Sequence, residues 1–359
     1  MDEHTPTAAV VAGRMERNRP KADYSELKRR VKEQGLLDKQ PGFIARKMLI
    51  NFALLGLSVA VLFLSDSLWL QIPNAVLMAF VFGQFGFVAH DAGHRQAFRT
   101  PRRNDLVGML HANVLLGMSF GWWLDKHNKH HANPNQHDAD PDIDMPVLAF
   151  SEQDALKKRG LFRFLVKHQA IFFFPLLLLQ ALSLHAGSVG FLLSHKTKYR
   201  ALEAVLLLVH VVAYVGVIIA ALGLGHALVF MLVQQALFGF YLASVFAPNH
   251  KGMLVLGSGD ELGFMLRQVL TARNVHPHPI TDFWYGGLNY QIEHHLFPTL
   301  ARNKLREAHV IIKRFCEEHE ISYYQTSMLG SYREIIAYLH QVSAPLRANA
   351  EQPRPGPGY

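Results

Sequence analysis

Residues 48–94 read MLINFALLGLSVAVLFL, SDS, LWLQIPNAVLMAFVFGQFGFVA, HDAGH: two apolar runs, a three-residue polar connection and a closing pair of histidines. The first run, Met48 to Leu64, is broken only by Asn51 and Ser58, and the second, Leu68 to Ala89, carries Pro73 near its start. Ala201 to Leu222 and Ala227 to Ala247 repeat the pattern, so that four runs of 17 to 22 residues stand in the chain. That is the length that crosses a hydrocarbon core of roughly 30 Å at about 1.5 Å per residue. Helices buried in a large soluble core are the alternative, but runs so poor in ionisable residues argue for lipid. The expected fold is an all-α integral membrane protein with four transmembrane helices in two hairpins under a helical cap.

Lysine and arginine orient it. Arg46 and Lys47 precede the first run, Arg95, Arg99, Arg102 and Arg103 follow the second, Lys196, Lys198 and Arg200 precede the third, and Lys251 follows the fourth. The connections Ser65 to Ser67 and Gly223 to His226 carry none, which places both hairpin tips outside and both termini in the cytosol. Leu161 to Leu193 is apolar but flanked by basic residues on both sides. It reads as in-plane or re-entrant with Gly187 and Gly190 allowing a bend, or as a tight extra hairpin. Asn104 to Trp122 carries His111 and Asn113 and reads as interfacial.

The remaining segments are polar. Residues 1–46 form a cytosolic lead, unstructured to about residue 20, in which Tyr24 to Leu37 reads as a basic amphipathic helix, membrane-lying or solvated. Residues 47–306 make the membrane domain, 307–343 the cytosolic C-terminal helices, and 344–359 a proline-rich disordered tail. The whole chain has 359 residues, half of them apolar and 18% charged, with a formal charge of +8. Its mean hydropathy of +0.09 is low for a chain made mostly of spans, so lipid-buried and polar parts are averaged. A single cysteine, Cys316, excludes an intrachain disulfide framework, a zinc ribbon and a thiolate-held iron–sulfur cluster. Nucleic-acid binding finds no support; the basic balance suits topology and anionic headgroups.

The 21 histidines are the sharper signal. His90 and His94 close the second run, His127, His130 and His131 lie between the second and third, and Gln291 heads the group ending in His294 and His295. Helical spacings of three and four put imidazoles on one face a turn apart, where two can grip one ion. Seven imidazoles in three separated segments, all expected on the cytosolic side, exceed the six positions usual for one transition-metal ion. They imply two ions, with His250, at the end of the fourth run, as an eighth ligand. Imidazole suits zinc, copper, iron or nickel without choosing among them. Residues expected to orient the imidazoles are Asp91, Gln291, Glu293 and Asn249, with the run Asp138, Asp140, Asp142, Asp144 either joining them or forming a solvated loop.

The order His-x-x-x-His, His-x-x-His-His, Gln-x-x-His-His resembles the histidine-box signature of the integral-membrane fatty acid desaturases. Residues 289–298, NYQIEHHLFP, look like its third box with the usual flanks, and the resemblance runs from about Leu49 to Arg306. It implies a non-haem di-iron centre held by His90, His94, His127, His130, His131, His250, His294 and His295, with no catalytic residue beyond these ligands. It also implies O2 as co-substrate and removal of two hydrogens from a long-chain acyl-CoA or acyl-lipid. Gln at the head of the third box is common in desaturases that act between an existing double bond and the carboxyl end. Many of those carry a fused haem domain with a His-Pro-Gly-Gly motif, which does not occur here. Electrons are therefore expected from a separate ferredoxin-type or flavin reductase. The plain layout also resembles bacterial enzymes acting on saturated chains, which suggests a bacterial cell membrane. Arg99, Arg102, Arg103, Lys126 and Lys129 are candidates for the phosphates of CoA or an acidic carrier. The same boxes would serve a di-iron lipid hydroxylase or ketolase, and zinc would indicate a lipid-binding or lipid-hydrolysing receptor. A divalent-metal transporter would need ionisable ligands in mid-span, where the chain offers Glu203 near an end, His210, Gln234 and Gln235.

Overall fold

The computed structural model describes residues 23–351 and is mostly helical. Helix α1 (Tyr24–Glu33) leads into α2 (Pro41–Leu64) and α3 (Leu68–Gly93). Then follow α4 (Pro101–Met109), prolonged by a π-helical turn (Leu110–Leu115), and α5 (Phe120–Ala132). The middle of the chain forms α6 (Glu152–Lys157), α7 (Gly160–Lys167), α8 (Gln169–Leu177), α9 (Gln180–Ser194) and the long α10 (Arg200–His250). The remainder holds α11 (Phe264–Leu270), α12 (Pro279–Trp284), α13 (Gln291–Leu296), α14 (Leu305–Glu318), α15 (Met328–Val342) and α16 (Ala344–Glu351). Two short strands, Asn274–Val275 and Gln325–Thr326, pair in parallel and tie the segment after α11 to the start of α15.

Among the described residues, α2, α3 and α10 are long and apolar enough to cross a membrane, and α7 with α8 passes the same test only if taken as one span bent by 102°. Their outward faces carry Leu49, Trp69, Leu208 and Leu232, all more than 60% exposed, a surface that water would not tolerate on this scale. Inside, polar contacts join the helices. Ser58 donates to Asn74 Oδ1 at 2.6 Å, and Gln71 donates to the carbonyls of Val61 and Ser65 at 2.9 and 2.6 Å. Within α10, Tyr214 donates to Gln234 Oε1 at 2.6 Å although 20 residues separate them. A continuous helix would hold them about 30 Å apart, so the chain doubles back. It does so at Gly223, whose φ of 68° and ψ of 166° glycine alone adopts without strain. The expected connection from Gly223 to His226 thus reduces to one residue.

Three expectations need correction. The amphipathic stripe of α1 lies neither on a membrane nor in water: Leu27, Val31 and Leu36 are buried against Ile312, Phe315 and Leu296. Tyr24 donates to the Leu296 carbonyl at 2.7 Å and Arg30 pairs with Glu318 at 2.6 Å, so the protein itself covers that face. The segment 161–193 bends at His168 and again beyond Leu177, not at Gly187 or Gly190, both of which lie inside α9. Gly187 is needed for packing, since a Cβ there would stand 2.5 Å from the Trp122 ring. The tail is helical as far as Glu351, because Leu346 fills a cluster with Ala155, Val166 and Val342, and Arg347 reaches Ser343 and the His340 carbonyl. The expected disorder of residues 1–20 and 352–359 falls outside the described residues.

The lone thiol, Cys316, is buried in the α14 core, which pushes its pKa up to about 12. Because the thiolate is the reactive species, native protein should take up maleimide at least about 100-fold more slowly than protein in denaturant. Equal rates would show that the α14 core opens readily.

Candidate metal centre

The eight histidines come from four segments. His90 ends α3 and His94 caps it, His127, His130 and His131 lie on α5, His250 ends α10, and His294 and His295 lie on α13. All are buried or half-buried. Their ring nitrogens fall into two groups with all atoms within 4.8 Å of one another: His90, His94, His127 and His294 in one, His130, His250 and His295 in the other. His131 stands between. Its Nε2 is 3.1 Å from that of His127 and 3.1 Å from that of His294, while its ring stacks on His295 at 4.2 Å.

In the second group the outward nitrogens are fixed. His130 Nδ1 faces both oxygens of Asp140 at 3.1 and 3.0 Å, His250 Nδ1 faces the Thr271 carbonyl at 3.0 Å, and His295 Nδ1 faces Gln268 Oε1 at 2.8 Å. Each acceptor selects the tautomer with the proton on Nδ1 and the lone pair on Nε2, turned inward. His250 Nε2 then lies 3.3 Å from His130 Nε2 and 3.1 Å from His295 Nε2. Burial first, and then the neighbouring imidazoles, holds His94, His127, His131, His294 and His295 well below the ordinary histidine pKa. Neutral rings with lone pairs converging at these distances repel one another, and a cation among them relieves that. The donor set therefore fits metal ions, with four imidazoles about one position and three about the other.

The fatty acid desaturase family model matches residues 67–327, which span the four segments that supply these histidines. The chain belongs to the fatty acid desaturase family. It is 32% identical over 344 residues to an acyl-lipid (9-3)-desaturase of Physcomitrium patens, covering 92% of this chain and 64% of that protein. A Delta(8)-fatty-acid desaturase of Euglena gracilis is 32% identical over 89% of this chain and 77% of its own length. For a Delta(6)-fatty-acid desaturase of Caenorhabditis elegans the identity is 28%, over 91% and 76%. These relatives are eukaryotic and lend the expected bacterial membrane no support.

Within this family member, the residues expected to orient the imidazoles divide. Gln291 Nε2 lies 3.0 Å from His250 Nε2, and Asn249 donates to Gln291 Oε1 at 3.0 Å. Asp140 holds His130, Asp142 lies 3.5 Å from the same nitrogen, and Asp138 and Asp144 are exposed. Asp91 does not hold His90, whose Nδ1 is 3.7 Å away; it pairs with Arg302 at 2.5 Å. Glu293 is likewise turned from the imidazoles and accepts from Asn274 at 2.7 Å and from the Tyr323 hydroxyl. The reason is common to both: each neighbours a box histidine by one residue, and helical neighbours one apart do not share a face. Gln268 and the Thr271 carbonyl carry no motif, and spacing offers no signal for them. Of the basic candidates for CoA phosphates, Lys126 pairs with Asp142 and Lys129 with Asp125 at 2.7 Å, leaving Arg99, Arg102 and Arg103 exposed.

Proposed function

We propose that this chain introduces a cis double bond into a long-chain fatty acyl group, using O2 and a di-iron centre, as an acyl-CoA or acyl-lipid desaturase. The observation that carries it is the convergence of seven histidines into two imidazole groups, with His131 between them, within the family's matched segment. In this reading His90, His94, His127 and His294 hold one ion, His130, His250 and His295 the other, and His131 lies between. Two irons bound there supply the oxidising power that an unactivated methylene requires, since it has neither an acidic proton nor a leaving group. The protein's share is to keep His94, His127, His131, His294 and His295 neutral by burial, orient His130, His250 and His295 through Asp140, the Thr271 carbonyl and Gln268, and exclude water.

α2, α3 and the two halves of α10 cross the membrane as two hairpins, with the termini and the metal centre on the cytosolic side, where lysine and arginine concentrate. Electrons arrive from a separate ferredoxin-type or flavin reductase. The Delta(6) and Delta(8) names of relatives and the Gln291-led box support a new bond near the carboxyl end. The three relatives named above all carry desaturase names, which favours desaturation over hydroxylation, ketone formation or transport.

Expression with iron and a supplied reductase, followed by mass spectrometry of total fatty acids, tests this. A product lighter by two hydrogens is expected, its bond position read from fragmentation. A product gaining one oxygen would instead make the chain a hydroxylase. No altered lipid, with iron and reductase both present, would defeat the proposal.

A further inference from the structure

The start of α5, the helix that carries His127, His130 and His131, is held in an unusual way. A helix leaves its first N–H groups without partners inside it. Here each is met by a side chain: Ser119 N donates to Ser188 Oγ at 3.0 Å, Phe120 N to Asn113 Oδ1 at 3.2 Å, Gly121 N to Glu203 Oε2 at 3.1 Å and Trp122 N to Ser119 Oγ at 3.0 Å. Glu203 is the hub. Its Oε2 also accepts from Ser119 Oγ at 2.7 Å and from Asn113 Nδ2 at 3.1 Å, and the residue is 3% exposed near the start of α10. A carboxylate so deeply buried in an apolar helix is costly unless its hydrogen bonds are made.

The aromatic residues beside it are keyed onto glycines of other helices. A Cβ on Gly108 would meet Phe120 at 2.1 Å, one on Gly187 would meet Trp122 at 2.5 Å, and one on Gly93, inside the first box between His90 and His94, would meet Trp123 at 2.3 Å. Trp123 in turn stacks on His127 at 4.4 Å. From Gly121 to His127 is six residues of rigid helix, about 9 Å. A shift at the start of α5 is therefore delivered undamped to three of the histidines.

We propose that Glu203 is a positioning residue of the metal centre, fixing the start of α5 and through it the second histidine box relative to the first and third. This rests on the reading of the histidines as metal ligands. The test is a cobalt(II) titration of purified full-length apoprotein in detergent, followed by the ligand-field absorption of the bound ion. Helix content and gel-filtration profile control for folding.

Glu203→Leu is expected to weaken cobalt binding about tenfold or more and to alter the absorption bands. Glu203→Gln, which keeps an acceptor oxygen and the shape, should lie closer to wild type than to Glu203→Leu. Gly121→Ala leaves the carboxylate charge and improves helix propensity, yet its Cβ would stand 2.6 Å from Glu203 Oε1 and displace it. It should reproduce the Leu result, and it decides the matter alone if Glu203→Leu fails to fold. Folded Gly121→Ala protein with wild-type affinity and absorption bands overturns the proposal. Wild-type protein that takes up no cobalt overturns the metal reading itself, and this proposal with it.

Discussion

On the proposed di-iron reading, replacing His131 by alanine is expected to reduce bound iron from two ions per chain to one or none, and to take the desaturated product below detection. The ring sits between the two imidazole groups, 3.1 Å from a nitrogen of each of two histidines in the first and stacked at 4.2 Å on His295 of the second. Its loss removes a donor and opens a gap where both positions meet. A native-state ligand present at about 1,000 times its dissociation constant stabilises by roughly 4 kcal/mol. The metal-dependent rise in melting temperature should therefore largely vanish in the variant, while the apoproteins melt alike. Metal analysis and paired melts with and without iron check this. A variant that keeps two irons and makes the product would show that His131 lies outside the centre.

The second large effect is expected at Arg273, which is fully buried where α10 ends on His250. Its Nε donates to the Pro248 carbonyl at 2.5 Å, a second nitrogen to the Lys251 carbonyl and a third to Glu334, while its backbone N–H donates to the Asn249 carbonyl at 2.9 Å. The last carbonyls of a helix have no partners inside it and carry the negative end of its dipole. A forked cation meets both needs at once. Arg273→Met should cost about 3 kcal/mol. That is the lower end for breaking a buried pair, because Glu334 is about one-third exposed and retains the Tyr324 and Thr326 hydroxyls. Arg273→Lys restores charge without the fork and should fall between. A loss under about 1 kcal/mol in thermal melts of Arg273→Met would refute this account.

Both effects concern partners that no local pattern reveals. The runs from Met48 to Ala89 and from Ala201 to Ala247 are legible because a helix in lipid needs an unbroken apolar length, a property of consecutive residues. The histidine boxes are legible for a similar reason: spacings of three and four are the same one-face geometry whether or not the rest of the fold is known. The stripe of Leu27 and Val31 was equally plain as a period, yet the period states only that something apolar covers it. That the cover is α14 rather than a membrane depends on contacts nearly 300 residues away.

Orientation of the imidazoles follows the same division. Asp91 and Glu293 attract notice because they adjoin histidines in sequence, but adjacency on a helix points side chains apart. Asp140, Gln268 and the Thr271 carbonyl hold the outward nitrogens from loops and a short helix that carry no recognisable spacing. Glu203 shows the limit most clearly. In sequence it is a stray carboxylate at the edge of an apolar run, a weak point for a span; in the structure it gathers three donors from residues 82 to 90 positions away.

What the sequence determined by itself is therefore the candidate donors, the one-face spacing inside each box and the apolar runs long enough to span, since each follows from the geometry of a single segment. Tertiary structure decided which donors meet, how they divide into two groups and which tautomer His130, His250 and His295 present. Those depend on hydrogen bonds and packing between segments far apart in the chain, where only the folded arrangement sets the distances.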